Sequence, residues 1–282
     1  MVGFQLLDAI GQGGGHVLIL AGPSFARKLG GPVKLLVLGA RSTAPLAAAR
    51  ACGLFVVAVD RDPRAPGFAL AQRRAILALD DEPALERLAD VERIDGILAT
   101  GRETGAAARL AFRFGLPHPH SPETAVLLGS RLRQRERLRD AGVPQVRWAL
   151  LADGAVAGFR CVVTPPDRKG RRLAEEAPGA AEVTVTAVSE RGELRPLLGS
   201  GPAAALAHRA AEALGVTDGL TSTRVRLGVD GPRVVDMRAQ VSDREAELCR
   251  LLHGVDVHSL ALDAALGRAE YVRFGTADAQ VA

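Results

Sequence analysis

Apolar residues in the first half of the chain recur with two different spacings. Short continuous runs such as KLLVLG (Lys34–Gly39) and GILATG (Gly96–Gly101) are typical of strands buried on both faces of a parallel sheet. Between the runs lie segments with helical spacing, such as Glu103–Phe114, which Gly115 ends. This alternation predicts a doubly wound open sheet with right-handed crossovers. The other predicted elements are helices at Thr43–Cys52 and Glu82–Val91 and strands at Leu54–Asp60 and Ala75–Leu79.

Two consecutive helices are predicted after residue 120. The first begins at Ser121-Pro122, a capping residue followed by a proline in the first turn. The second has Leu132 and Leu138 on its inward side and its arginines on the solvent side, and it stops at Gly142. From the pattern alone, these helices connect the first sheet to the second half of the chain.

A hairpin is predicted near the end of the chain. Two alternating apolar runs flank Gly228–Gly231, and the second run ends in Asp236. A helix rich in acids then begins near Ser242. A strand that ends in a carboxylate beside a paired strand is a common place for metal ligands in nucleotide-dependent enzymes. The alternative is a surface hairpin with ordinary charges.

Composition narrows the class of protein. The 282 residues are 48% hydrophobic, and no run is long enough to span a membrane. Cys52, Cys161 and Cys249 are scattered without a CxxC motif, which argues against zinc and disulfides and predicts a cytoplasmic location. The net charge of +4 comes almost entirely from arginines that lie among acids, and aromatic residues are scarce. We therefore expect neither nucleic-acid nor membrane binding.

Polar residues follow the predicted parallel strands, where ligands bind in open sheets. These residues are Gly39–Ser42, Asp60–Asp62 and Thr100–Glu103. A nicotinamide site would need GxGxxG after the first strand, and only one glycine is present. The favoured interpretation is that Gly39 allows a tight turn and that Asp60 caps the next segment.

The order of several motifs resembles the ATP-grasp superfamily, nearest to its biotin-carboxylase-like and carbamoyl-phosphate-synthetase-like branch. The resemblance runs from Val33 to Gly267. Its motifs, in chain order, are DRDPRAPGFALA, LPHPHSPETA, DAGVPQVRW, VVTPPDRKGRR, EEAPGAAEVTV, PRVVDMRAQ and HGVDVHSLALDAALG.

The resemblance implies an α/β protein with two domains. A doubly wound parallel-sheet (pre-ATP-grasp, Rossmann-like) domain at residues 33–120 would precede a reduced α+β ATP-grasp domain at residues 121–282. Residues 1–32, which contain two glycine clusters, would be an N-terminal extension.

The implied activity is that of ATP-dependent carboxylate–amine or carboxylate–thiol ligases. Such enzymes hold ATP between two sheets and activate a carboxylate as an acyl phosphate, which requires cations around the phosphates and acids that hold Mg²⁺. The resemblance assigns Asp236 to the metal and Arg238 and Lys169 to catalysis. The positions that it assigns to ATP are Arg131, Thr164, Arg168, Lys169, Glu175, Glu176 and Glu182.

Several of these positions depart from the superfamily pattern. Thr164 stands where a lysine is usual, and Arg224, twelve residues before Asp236, stands where the first metal-binding acid is usual. Arg238 and Gln240 replace the Asn and Arg that follow the metal-binding strand, and the lid is shortened. These departures favour the alternative that the protein is an inactive pseudoenzyme acting as a binding or partner module.

The expected partner is a small-molecule carboxylate near Arg41 and Arg102, at the switch region of the parallel sheet. A homodimer is a further expectation.

Overall fold

A computed structural model describes residues 31–101, 103–152, 155–165, 170–177 and 181–268. The expectations for residues 1–30 and for Arg102, Arg168 and Lys169 lie outside the described residues. The helices are α1 (Ala44–Ala51), α2 (Glu82–Glu92), α3 (Thr104–Phe114), α4 (Pro122–Gly129), α5 (Arg131–Asp140), α6 (Gly201–Leu214), α7 (Asp243–His253) and α8 (Val257–Ala265). The strands are β1 (Lys34–Leu38), β2 (Phe55–Asp60), β3 (Arg73–Ile76), β4 (Gly96–Ala99), β5 (Trp148–Leu151), β6 (Cys161–Val163), β7 (Arg172–Glu176), β8 (Glu182–Glu190), β9 (Glu193–Leu198), β10 (Gly219–Gly228) and β11 (Gly231–Arg238).

The first four strands form a parallel sheet in the order β3-β2-β1-β4, as the alternating pattern predicted. Successive residues of β1 face opposite sides of this sheet. Leu36 and Leu38 pack against residues of α2 and α3, whereas Leu35 and Val37 pack against residues of α1 and α8. Both faces are therefore covered by helices, which is why β1, β2 and β4 are mostly apolar.

The third strand lies earlier in the chain than predicted. The apolar spacing predicted Ala75–Leu79, but β3 is Arg73–Ile76 and is mostly exposed. As an edge strand, β3 pairs only with β2, in a register that places Val57 beside Arg73. The backbone pairing set by β2, rather than apolar side chains, therefore determines where this strand lies.

The second half of the described chain contains two antiparallel sheets. One has four strands in the order β11-β10-β8-β9, and the other has three in the order β5-β7-β6. One face of the four-stranded sheet packs on α6 and the other on residues of α7. The predicted hairpin is present, and Val229 and Asp230 form its turn between β10 and β11.

The last described helix connects the two halves of the protein. Leu262 and Ala265 of α8, with Leu266 after it, belong to the same apolar cluster as Leu35 and Val37 of the parallel sheet. The helix also contacts β10. Among the described helices, none is long and apolar enough to cross a membrane.

Candidate functional site

The carboxyl edge of the parallel sheet borders a cavity of about 630 Å³. Gly39 follows β1 with φ +89°, a conformation that L side chains rarely adopt. Asp60, at the end of β2, is buried and accepts hydrogen bonds from the backbone N–H of Ala40 (2.8 Å) and of Asp62 (2.9 Å). The prediction that Asp60 caps the next segment is confirmed, and Gly39 adopts the positive φ that the predicted turn would need.

Charged side chains of both signs line this cavity. Arg41 has a side chain that is 70% exposed, and its Nη2 lies 3.9 Å from Asp62 Oδ2, so most of its donors are available. Glu103 folds over Gly101, and none of the described residues pairs with its carboxylate. The cavity therefore offers both a cation and an anion to a ligand.

A second polar region lies at the junction between the three-stranded sheet and the four-stranded antiparallel sheet, called the inter-sheet junction below. Arg224 of β10 lies directly opposite Asp236 of β11. Its Nε and Nη2 each donate to one carboxylate oxygen at 2.9 Å, and Nη2 of Arg131 donates to Asp236 Oδ2 at 2.9 Å. The spacing predicts that Arg224 and Asp236 face each other if the hairpin loop is Val229–Gly231. The turn is Val229 and Asp230 instead, and a bulge between Arg224 and Val225 brings the two residues opposite each other.

These contacts change the titration of Asp236. Burial raises the pKa of this carboxyl, but the hydrogen bond and charge of Arg224, together with neighbouring arginines, outweigh burial and hold the pKa below its ordinary value. The hydrogen bond to Asp236 in turn raises the pKa of Arg224. Both groups are therefore charged at neutral pH.

Arg135 corrects the expectation that the arginines of α5 face solvent. Its side chain is only 2% exposed. It donates to Glu175 at 2.7 and 2.8 Å, to the carbonyl of Val234 at 3.1 Å and to that of Val235. Glu175 also accepts a hydrogen bond from Arg131. Burial lowers the pKa of Arg135, although the charge of Glu175 opposes this.

The remaining two acids of the junction are paired in the same way. Glu176 contacts Arg147 (3.2 Å) and Arg226 (3.8 Å), and the hydrogen bond from Arg147 lowers the pKa of Glu176. Glu182 accepts from Arg226 at 2.9 Å and lies 3.6 Å from Arg224 Nη1. Every acid that the sequence assigned to the nucleoside or the metal is thus paired with arginine. We call this set of side chains the junction network: Arg131, Arg135, Arg147, Arg224, Arg226, Glu175, Glu176, Glu182 and Asp236.

Two other assigned residues lie beside the network. The hydroxyl of Thr164 accepts a hydrogen bond from the backbone N–H of Leu173 at 3.0 Å, so it is held by the three-stranded sheet. Arg238 is exposed at the end of β11, where its charge helps to lower the pKa of Asp236. Gln240 lies outside the network, and its side-chain amide donates a hydrogen bond to the hydroxyl of Thr104.

The side chains at the inter-sheet junction do not provide suitable ligands for Mg²⁺. Magnesium requires oxygen ligands in a nearly octahedral arrangement. Both oxygens of Asp236 already accept from arginines, and the residue opposite is the cation Arg224. In the part of the chain that the structure describes, no three His, Cys, Asp or Glu side chains are grouped to hold a metal ion.

Sequence reasoning missed three arginines of the network. Arg135 could have been recognised because it lies three residues before the buried Leu138, on the same face of a helix. Arg147 and Arg226 carry no comparable signal, since their partner Glu176 lies on a strand that is distant in sequence.

Solved structures share this fold at low sequence identity. An L-amino acid ligase from Bacillus licheniformis is similar with a TM-score of 0.71 and 19% identity, over 83% of this chain and 74% of that chain. Phosphoribosylglycinamide synthetase from Anaerococcus prevotii gives 0.68 and 15%, over 83% and 75%. N5-carboxyaminoimidazole synthetase from Staphylococcus aureus, complexed with ADP, gives 0.66 and 15%, over 84% and 78%. No protein-family model matches the chain, and no curated protein matches it significantly in sequence.

Proposed function

We propose, on the premise that this chain has the ATP-grasp fold, that the protein is a binding module without ATP-dependent ligase activity. The observation that carries the proposal is the state of Asp236, whose two carboxylate oxygens accept hydrogen bonds from Arg224 and Arg131. A metal ion at Asp236 would have to displace two guanidinium groups. It would also lie next to the positive charge of Arg224.

A second altered position, Thr164, supports the same proposal. Acyl-phosphate chemistry needs cations placed around the transferring phosphoryl group. Thr164 stands where the resemblance leads us to expect a lysine, and its hydroxyl is hydrogen-bonded to the Leu173 backbone. A hydroxyl cannot supply the missing charge. Catalysis would therefore lack one cation and the metal.

The proposed ligand site is the cavity at the carboxyl edge of the parallel sheet. Its volume of about 630 Å³ lies within the range of small-molecule sites. Arg41 is largely exposed there and can hold the carboxylate of a small molecule.

The second candidate function is an ATP-dependent ligase that forms C–N or C–S bonds. It is favoured by the positions of Glu175, Glu176 and Glu182, which lie at the ends of two strands that meet at the junction. In this alternative the arginines would release these acids when ATP and Mg²⁺ bind. ATP would then be held between the two antiparallel sheets.

Thermal unfolding in the presence of ATP separates the two functions. A ligand that binds only the folded state stabilises it by RT ln(1 + [L]/Kd) and therefore raises the melting temperature. For a binding module, we expect that adding Mg²⁺ at a fixed ATP concentration gives no additional rise and that no ADP is released. A rise that requires Mg²⁺ and disappears in Asp236→Asn would support the ligase instead.

A further inference from the structure

We infer that the ligand of the cavity at the carboxyl edge of the parallel sheet is a carboxylate with an apolar tail, and that the tail lies in a groove between α2 and α3. This inference rests on the proposed function, because it takes the carboxylate to be held by Arg41. It deepens that function by stating what the rest of the ligand is.

The first support is the apolar lining of the groove, whose volume is about 480 Å³. Leu85 of α2 and Leu110 of α3 line it and are buried against the parallel sheet, so they form a fixed floor. Phe112 and Pro122 also line the groove, and Phe112 is 76% exposed. An apolar ligand that covered Phe112 would remove this surface from water, which is favourable.

The second support is that the charged residues of the groove are paired with each other. Nε of Arg109 donates to Glu82 Oε1 at 2.9 Å, and Nη1 of Arg113 lies 2.8 Å from Glu86 Oε1. Among the described residues that line the groove, these four are the charged ones. The groove therefore suits an uncharged part of a ligand, whereas the neighbouring cavity offers the largely exposed cation Arg41.

The third support is that the groove and the cavity adjoin. Glu82, Ala106 and Arg109 line both of them, so the ion pair of Arg109 with Glu82 belongs to the shared wall. The two side chains of this pair are each 43% exposed. An exposed ion pair contributes little to stability, and a ligand can displace it at little cost. One molecule can therefore occupy both spaces.

A dependence of affinity on the length of the tail follows from this arrangement. The guanidinium of Arg41 can hold a carboxylate of any length by charge-assisted hydrogen bonds. A longer tail buries more apolar surface in the groove, and each fully buried methylene raises the affinity by about fourfold. Short carboxylates should therefore bind weakly, and carboxylates long enough to reach past Arg109 should bind more tightly.

Calorimetric titration of the full chain with sodium butanoate, hexanoate and octanoate tests the inference. We expect octanoate to bind at least about tenfold more tightly than butanoate. Phe112→Ser removes apolar surface from the groove at an exposed position, and it should weaken octanoate binding at least about fivefold while butanoate binding is unchanged. Val91→Ser is the matched control, because Val91 is an exposed apolar residue of α2 that does not line the groove as described. It should bind all three as the unaltered protein does.

Arg41→Met separates a failure of this inference from a failure of the proposed function. It should weaken the binding of all three carboxylates by a similar factor, and circular dichroism checks that each variant is folded. Equal affinities for the three carboxylates, or a length dependence that Phe112→Ser leaves unchanged, would overturn the inference. The proposed ligand site would stand in both cases if Arg41→Met still weakened binding. Absence of binding by all three, or binding that Arg41→Met leaves unchanged, would overturn that site as well.

Discussion

The two polar regions of this protein use the same residue types in opposite ways. At the carboxyl edge of the parallel sheet, Glu103 has no partner among the described residues, and Arg41 has only a distant one. At the inter-sheet junction, Glu175 and Asp236 are buried, and each accepts hydrogen bonds from two arginines. The charges at the sheet edge are therefore available to a ligand, whereas those at the junction are already paired.

The charged residues of the two regions therefore contribute differently to the free energy of unfolding. Removing charges from water is costly, and a buried ion pair recovers this cost only when its geometry is good. A buried pair is consequently weak support for net stability, but breaking one is strongly destabilising. Exposed charges at the sheet edge contribute little to the free energy of unfolding. Substitutions can test this difference.

The largest effect is expected at Arg135. Replacing it with methionine removes the hydrogen-bond donors to the buried carboxylate of Glu175 and to the carbonyls of Val234 and Val235. We expect Arg135→Met to lose about 3–5 kcal/mol of the free energy of unfolding, measured by urea denaturation. Arg133→Met should stay within about 0.5 kcal/mol of the original protein. A loss below about 1 kcal/mol at Arg135 would mean that the junction network is not held as described.

The smallest effect is expected at Glu103. Glu103→Gln should change the free energy of unfolding by no more than about 0.5 kcal/mol, because the carboxylate makes no described contact that the amide would lose. The same substitution at Glu175, which pairs with Arg131 and Arg135, should cost several times more. Equal losses at the two positions would contradict the comparison.

The parts of the fold that follow from local patterns could be predicted from the sequence. Continuous apolar runs located the parallel strands, and Gly228 and Gly231 located the hairpin turn. The two-residue turn alone would place Arg224 beside Val235, and the pair with Asp236 arises because a bulge between Arg224 and Val225 shifts the register by one residue.

The rest depends on contacts between distant segments. The burial of Arg135 contradicts the usual preference of arginine for solvent, and only its partner Glu175, forty residues later, makes that burial tolerable. No local pattern indicates that Glu175 of β7 lies within hydrogen-bonding distance of Arg135 of α5. The same limit applies to β3, whose place is set by pairing with β2.

A double-mutant cycle between Arg224 and Asp236 tests most directly that a guanidinium stands in place of a metal ion. The free energies of unfolding of Arg224→Met, Asp236→Asn and the double variant are compared with that of the unaltered protein, with and without Mg²⁺. We predict a coupling energy of about 1 kcal/mol or more that Mg²⁺ leaves unchanged. A coupling near zero, or a stabilisation by Mg²⁺ that Asp236→Asn abolishes, would contradict the account.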